Sequence, residues 1–270
     1  MLKKVIKDLL PPALKRFLSG LFYGWHGNFP TWAEATKKCG GYNSPEILKK
    51  VKKSSLMVKN GSAAFERDSV LFENIEYSFP LLSGLLWIAN QNNGKLNVLD
   101  FGGSLGSTYF QNKFFLDSQN EVNWCIVEQP GFVKTGKESF EDEKLHFFYS
   151  IEDCMNEYDI DAVILSSVLQ YMEEPYVLLE NIRLRGIRYL IIDRTPFIEG
   201  NDRITIQKVK PSIYSGSYPC WFFNENKFLT TLKKEYKLLL EFDALDEANI
   251  SSKFKGFLFQ KIESEKYKVI

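Results

Sequence analysis

A chain of 270 residues with 34 basic and 34 acidic side chains has a formal net charge of zero, which excludes nucleic-acid binders that rely on an overall basic surplus to displace counterions. At this length roughly 75% of the unfolded chain's surface can be buried, so one large domain with an appendage needs no disulfide or metal staples. Hydrophobic residues at 44% and charged residues at 25% exclude intrinsic disorder, and an aromatic share of 15% points either to a Phe-rich core or to a site lined with rings.

The chain opens on MLKKVIKDLLPPALKRFLSGLF, in which Lys3, Lys4, Lys7, Lys15 and Arg16 interleave with Val5, Ile6, Leu9, Leu10, Leu14 and Phe17. Lys7, Asp8 and Pro11-Pro12 interrupt any signal-peptide apolar region. Residues 1–20 therefore read as a basic amphipathic segment, either docked on the domain or in weak peripheral contact with an anionic membrane surface. No apolar run approaches the ~18 residues that span a bilayer. Cys39, Cys125, Cys154 and Cys220 are scattered without a CxxC pair, and His26 and His146 are the only histidines. No metal site is expected, and the thiols read as reduced ones of a cytoplasmic protein.

A Lys-rich helix is predicted from about Ser44 to Asn60, with Ser44 as cap and Pro45 in the first turn. Helical spacing of apolar residues predicts another from about Val70 to Gln91, bent or split at Pro80 and ended by Asn92-Asn93-Gly94. Strands and helices then alternate. Apolar runs at 95–101 (KLNVLDF), 122–128, 145–149, 162–166 and 189–193 are continuous rather than alternating, the mark of parallel strands covered on both faces, and a helix is expected from Val168 to Arg183. A helix capped by Asn224 precedes two further strands, 236–244 and 254–262, with no helix between them, which predicts an antiparallel pair. The expected fold is α/β: a doubly wound, mostly parallel seven-stranded Rossmann-like sheet with a C-terminal antiparallel hairpin. Residues 1–69 form an N-terminal helical and aromatic extension, residues 70–270 the domain, and 194–223 an insertion over its site.

The stretch VLDFGGSLGST, Val98 to Thr108, ends the first sheet strand. Its glycines let the chain turn tightly and approach a ligand closely, and the next helix offers unpaired N–H groups. A nicotinamide fingerprint fits badly, because Phe101 stands in place of the first glycine. Asp100 at the strand end suits a cationic ligand better than a pyrophosphate. Glu128, ending the second strand, is placed to accept hydrogen bonds from both ribose hydroxyls of a nucleoside.

With these residues the chain resembles the class I S-adenosylmethionine (SAM) methyltransferases, whose first motif is D/E-x-G-x-G-x-G. Here the motif runs Asp100-Phe101-Gly102-Gly103-Ser104-Leu105-Gly106, with Ser104 in place of the middle glycine. SSVLQYMEEP, Ser166 to Pro175, resembles the segment after the fourth strand of that superfamily, with Gln170 where many relatives have histidine. The terminal hairpin is likewise a feature of that fold. Further stretches, GWHGNFPTWAEA, GGYNSPEIL, VEQPGFV, LIIDRTPF and the SYPCWFF run, are similar to a bacterial family of methyltransferases associated with surface-polysaccharide gene clusters, and the matches cover nearly the whole chain. The resemblance implies SAM as cofactor, held by Asp100, Gly102, Gly103, Ser104 and Gly106 around the methionine moiety and Glu128 at the ribose. Gln129, Ser150 and Ile151 would border the adenine, with Ser166, Ser167 and Gln170 near the methyl group. It implies methyl transfer, at oxygen, to a sugar or sugar-linked precursor.

The insertion concentrates Tyr214, Tyr218 and Trp221 with Arg194, rings and donors that suit a sugar or an anionic group on it. Trp25, His26, Phe29 and Trp32 are candidates to close the same cleft. For a base that takes the acceptor's proton, His26 is the first candidate and Asp193 the second. Two other readings stay open: a nucleotide-sugar or nicotinamide-dependent oxidoreductase, and a non-catalytic methyltransferase-like subunit of a glycan-assembly complex.

Overall fold

A computed structural model describes residues 20, 22–41 and 45–262. Ser44 and residues 1–19, with their cap and their amphipathic reading, lie outside the described residues. The central sheet holds β4 (Lys95–Phe101), β5 (Glu121–Val127), β6 (Leu145–Phe148), β7 (Ala162–Ser166) and β8 (Tyr189–Ile198), ordered β6-β5-β4-β7-β8 and all parallel. On the outer side of β8, β12 (Lys253–Lys261) runs antiparallel and pairs with β11 (Tyr236–Asp243). These seven strands are the expected sheet and hairpin.

Strand alternation decides which helix covers which residue. Val98, Trp124, Ile164 and Ile191 face one way, into a core closed by α2 (Pro45–Lys59), α3 (Phe79–Gln91), α4 (Ser107–Leu116) and α5 (Pro130–Ser139). Their neighbours Leu99, Cys125, Val163 and Ile192 face the other way, against α6 (Ile151–Glu157), α7 (Pro175–Leu184) and α8 (Glu225–Leu232). Asp100 and Asp193 each lie one step beyond Leu99 and Ile192, on the face that α3 and α4 cover. Close packing leaves no room at Gly136 of α5, where a Cβ would sit 2.3 Å from the Phe147 ring. Gly136→Ala should destabilise the protein by about 1–2 kcal/mol, the overpacking cost outweighing the gain in helix propensity. An unchanged urea midpoint would contradict this.

Three expectations are corrected. The stretch from Val70 is not helical at its start: β2 (Phe65–Arg67) and β3 (Val70–Phe72) form a hairpin, and α3 begins only at Phe79. Pro80 occupies its first turn, where the missing N–H costs nothing, so it starts the helix instead of bending it. The segment from Val168 is a 3₁₀ turn, Leu169–Tyr171, then α7, because Pro175 restricts the residue before it and sets a new first turn. The N-terminal extension is not purely helical either: besides α1 (Trp32–Thr36) it supplies β1 (Gly24–Phe29). β1 pairs with β9 (Arg203–Lys208), β9 with β10 (Ser217–Asn224), and β10 joins β8 in parallel at Phe197 and Ile198, past the end of β7. The insertion thus supplies two strands, β9 and β10, which with β1 of the N-terminal extension form a three-stranded antiparallel extension of the main sheet, standing beyond the end of β7. Asn224 does cap α8, accepting from the Lys227 amide at 2.8 Å.

Candidate functional site

The chain leaves β4 through Gly102, whose φ of 73° a side chain rarely adopts and whose N–H reaches the Val127 carbonyl of β5 at 2.9 Å. At Gly103 the constraint is space, since a Cβ there would lie 2.5 Å from the Asp100 carboxylate. Ser104, in place of the middle glycine, has a φ of 56°, so a serine holds the left-handed backbone that glycine adopts more easily. The departure from the motif is chemical and leaves the path of the loop intact. Gly106, at φ 97°, then starts α4.

Asp100 is turned inward. It is 1% exposed, accepts from the Trp124 indole N–H at 3.1 Å, and lies under Gly103. Burial raises its pKa to about 7; the Trp124 bond lowers it and the charge of Glu128 raises it further. The carboxylate therefore supports the loop from beneath and does not face a cationic ligand directly, contrary to the sequence-based placement. Glu128 is half-buried at the end of β5 and accepts from the Gln129 amide at 2.6 Å. Burial raises its pKa while the amides of Gln129 and Ser104 oppose that, so Glu128 joins the loop to the neighbouring strand end.

Of the other expected cofactor residues, Gln129 is exposed at the start of α5. Ser150 caps α6 by accepting from the Asp153 amide, and Ile151 is buried in the second core. Ser166 ends β7 opposite Asp193. Ser167, at φ 54°, donates its amide to the Asp193 carbonyl at 3.0 Å, and the buried Gln170 amide bonds the Ser167 hydroxyl and the Arg194 carbonyl, both at 3.1 Å. Arg194 has a φ of 52°. Ser104 and Ser167, left-handed without being glycine, stand just past the carboxyl ends of β4 and β7, and Arg194, also left-handed, lies within β8 just beyond the level where β7 ends, where strained backbone accompanies function.

A cavity of about 50 Å³ opens among these ends, lined by Ser166, Asp193 and Arg194 with Ser107, Thr108 and Gln111 of α4, Leu81 of α3, and Phe65 and Arg67 of the hairpin. Asp193 is 3% exposed. Burial lifts its pKa to about 6 against the pull of the Arg194 charge and amide, and the Ser78 hydroxyl, at the head of α3, bonds it. Arg194 is held by Asp246 through Nε and Nη2 at 2.8 and 3.0 Å, with Asp68 at 3.5 Å. Its charge is neutralised from within the protein, which corrects its placement as a binder of anions.

His26 is not brought to Asp193. It sits on β1, three strands from β8, ~14 Å at ordinary strand spacing, and its Nε2 has no partner among the described residues. Trp221 donates to the Met172 carbonyl at 3.0 Å and stacks on Trp32, closing the core under the extension. Tyr214 and Tyr218 share a 3.0 Å hydroxyl contact, and the Tyr218 ring meets Tyr171 edge-on at 5.1 Å. Arg67, Asp68, Ser78, Ser107 and Asp246 are not among the expected site residues, because Arg67 and Asp68 fall in the stretch 61–69 where the sequence predicts no element, and Asp246 reaches the site only through its ion pair. No cluster of metal-ligating side chains occurs, and no helix is long and apolar enough to cross a membrane, among the described residues.

No protein-family profile and no curated protein matches the chain. Solved structures share its course at a distance. The N-terminal domain of EvdMO1, crystallised in the presence of S-adenosylhomocysteine and D-fucose, is 13% identical, with 82% of this chain and 98% of that one covered at a TM-score of 0.48. The Burkholderia thailandensis 1,6-didemethyltoxoflavin-N1-methyltransferase, with S-adenosylhomocysteine bound, is 12% identical, covering 83% and 93% at 0.45. The Synechocystis magnesium protoporphyrin IX methyltransferase with bound SAM is 12% identical, covering 82% and 100% at 0.45. Likenesses this distant carry no chemistry across.

Proposed function

We propose that this protein is a SAM-dependent methyltransferase that O-methylates a sugar or sugar-linked precursor of a surface polysaccharide. The observation that carries the reading is the loop after β4: left-handed at Gly102, Ser104 and Gly106, without room for a Cβ at Gly103, and tied to the strand-end acid Glu128. That is a cradle shaped for close backbone approach by a ligand. Gly102, Gly103 and Ser104 would hold the methionine moiety and Glu128 the ribose. Arg67, with Thr108 at the head of α4, offers donors to the carboxylate of that moiety.

SAM, when bound, would supply an electrophilic methyl group to the acceptor oxygen. The Asp193 carboxylate would take the proton that this oxygen gives up. Ser78 and the Arg194 amide orient that carboxylate. Burial keeps it basic enough to act near neutral pH.

Calorimetric titration with SAM, S-adenosylhomocysteine and NAD tests the reading. SAM and its demethylated product should bind and NAD should not; binding of NAD alone would point to an oxidoreductase, and no binding to a non-catalytic subunit. Arg67→Ala should weaken SAM about tenfold or more, the loss of one charged hydrogen bond of ~1.5–3 kcal/mol. Undiminished affinity would remove Arg67 from the site.

A further inference from the structure

The loop between β11 and β12 brings two parts of the chain together. Its Asp246 grips Arg194, which lines the cavity, through Nε at 2.8 Å and Nη2 at 3.0 Å. Further along the same loop, Asn249 donates from Nδ2 to the carbonyls of Gly20 and Trp25, at 3.4 and 3.0 Å, and accepts from the Trp25 amide at 2.8 Å. Residues 1–19 therefore join the described fold beside the mouth of the cavity. That rim is apolar and acidic. Leu245, next to Asp246, is 58% exposed, and Phe79, next to the Ser78 that bonds Asp193, is 62% exposed. From Phe79 a run of rings continues outward: Tyr77 lies at 5.5 Å, Phe115 at 5.4 Å from Tyr77, and the exposed Phe114 at 5.2 Å from Phe115. Glu247 is exposed in the loop, and Asp68, exposed at the hairpin tip, reaches Arg194 with one oxygen at 3.5 Å.

The sequence of residues 1–19 complements this rim. Lys3, Lys4, Lys7, Lys15 and Arg16 stand against Asp8 alone, interleaved with Val5, Ile6, Leu9, Leu10, Leu14 and Phe17. Even wound as a helix, a segment of this length reaches ~28 Å, enough to cross the mouth of the cavity. We infer that residues 1–19 are a strap across the mouth of the cleft, with Leu14 and Phe17 on Phe79 and Leu245 and the cations against Asp68 and Glu247. Docking takes exposed rings and aliphatic chains out of water, and the opposed charges set the direction in which the strap lies. Access to Asp193 and Arg194 then requires the strap to lift. This closure goes beyond the methyltransferase reading and holds whatever the cleft binds.

Trypsin cuts after Lys15 and Arg16, and where reclosing is fast its rate tracks the fraction of molecules with the strap lifted. In the full chain without ligand these bonds should be cut at least about tenfold more slowly than in a free peptide of residues 1–22, since two buried apolar side chains hold the strap down. Phe79→Ser with Leu245→Ser, and separately Glu247→Lys, should each raise the rate by about threefold or more. All three positions are exposed, so the fold survives the changes. Cleavage as fast as the peptide's, or a rate that either change leaves unaltered, overturns the strap. So does protection that depends on protein concentration, which a second copy would give, or protection that appears only with phosphatidylglycerol vesicles, which would place the segment on a membrane. Titration with SAM is a separate measurement, and its failure removes the methyltransferase reading while leaving the strap in place.

Discussion

Asp193→Asn should lower the rate of methyl transfer by about 100-fold or more and leave SAM affinity within about twofold, because a positioned base contributes ~10²–10⁴. The carboxylate lies at the cavity wall with its pKa raised to about 6 by burial, so it is ionised at neutral pH yet retains proton affinity. A base works deprotonated. The wild-type rate should therefore climb as pH rises from 5 to 7 and level off above, whereas the variant should lose that limb. Asparagine keeps the size of the side chain and its capacity to accept from Ser78 and the Arg194 amide. Lost activity with intact SAM binding then separates chemistry from folding. A wild-type profile that is flat from pH 5 to 8, or an active variant, would remove Asp193 from this role.

The second large effect is on stability. In the folded protein Asp100 has a pKa of about 7, against ~3.9 in an unfolded chain, so between these values the native state binds more protons. Its contribution is fully present below pH 4 and is lost as pH rises through 7. Asp100→Asn stays neutral and keeps an oxygen for the Trp124 indole, and its advantage over wild type should grow from nothing near pH 4 to a plateau above pH 7. A shift of this size corresponds to at most about 4 kcal/mol. Urea unfolding at pH 5, 6, 7 and 8 reads the difference directly. Parallel curves for the two proteins would show that Asp100 does not carry the dependence. Since Asp100 packs under Gly103, the same variant should alter SAM affinity only modestly.

The parallel strands were legible because each is a short apolar run buried on both sides, which composition alone marks, and the closing hairpin because two strand-like runs follow each other with no helical pattern between them. The loop after β4 was legible too, since glycines at fixed spacing record backbone geometry in the residues themselves. The hairpin Phe65 to Phe72 was not. Val70, Leu71 and Phe72 continue the apolar spacing of α3, and only the left-handed turn at Asp68 and Ser69 reveals two strands. The insertion's aromatic cluster was visible, but whether a ring meets solvent or another ring is decided by partners far along the chain. Trp221 finds Trp32, and Trp25 finds Cys220, with the indole N–H 3.2 Å from its sulfur.

The sequence by itself determined the doubly wound sheet, the order of its elements and the place of the cradle, because periodicity and glycine spacing are local properties. Only the tertiary structure decided the direction of the charged groups. Asp100 and Asp193 each end an apolar run, and the alternation of the strand sends both toward α3 and α4, where Trp124 takes one and Ser78 the other. Arg194 became an internal counter-ion because Asp246, 52 residues away, folds back onto it. His26 was carried off to the sheet's far edge by pairing with β9. Charge and hydrogen-bond partners act over a few ångströms, and distances of that kind come into being only when the chain has folded.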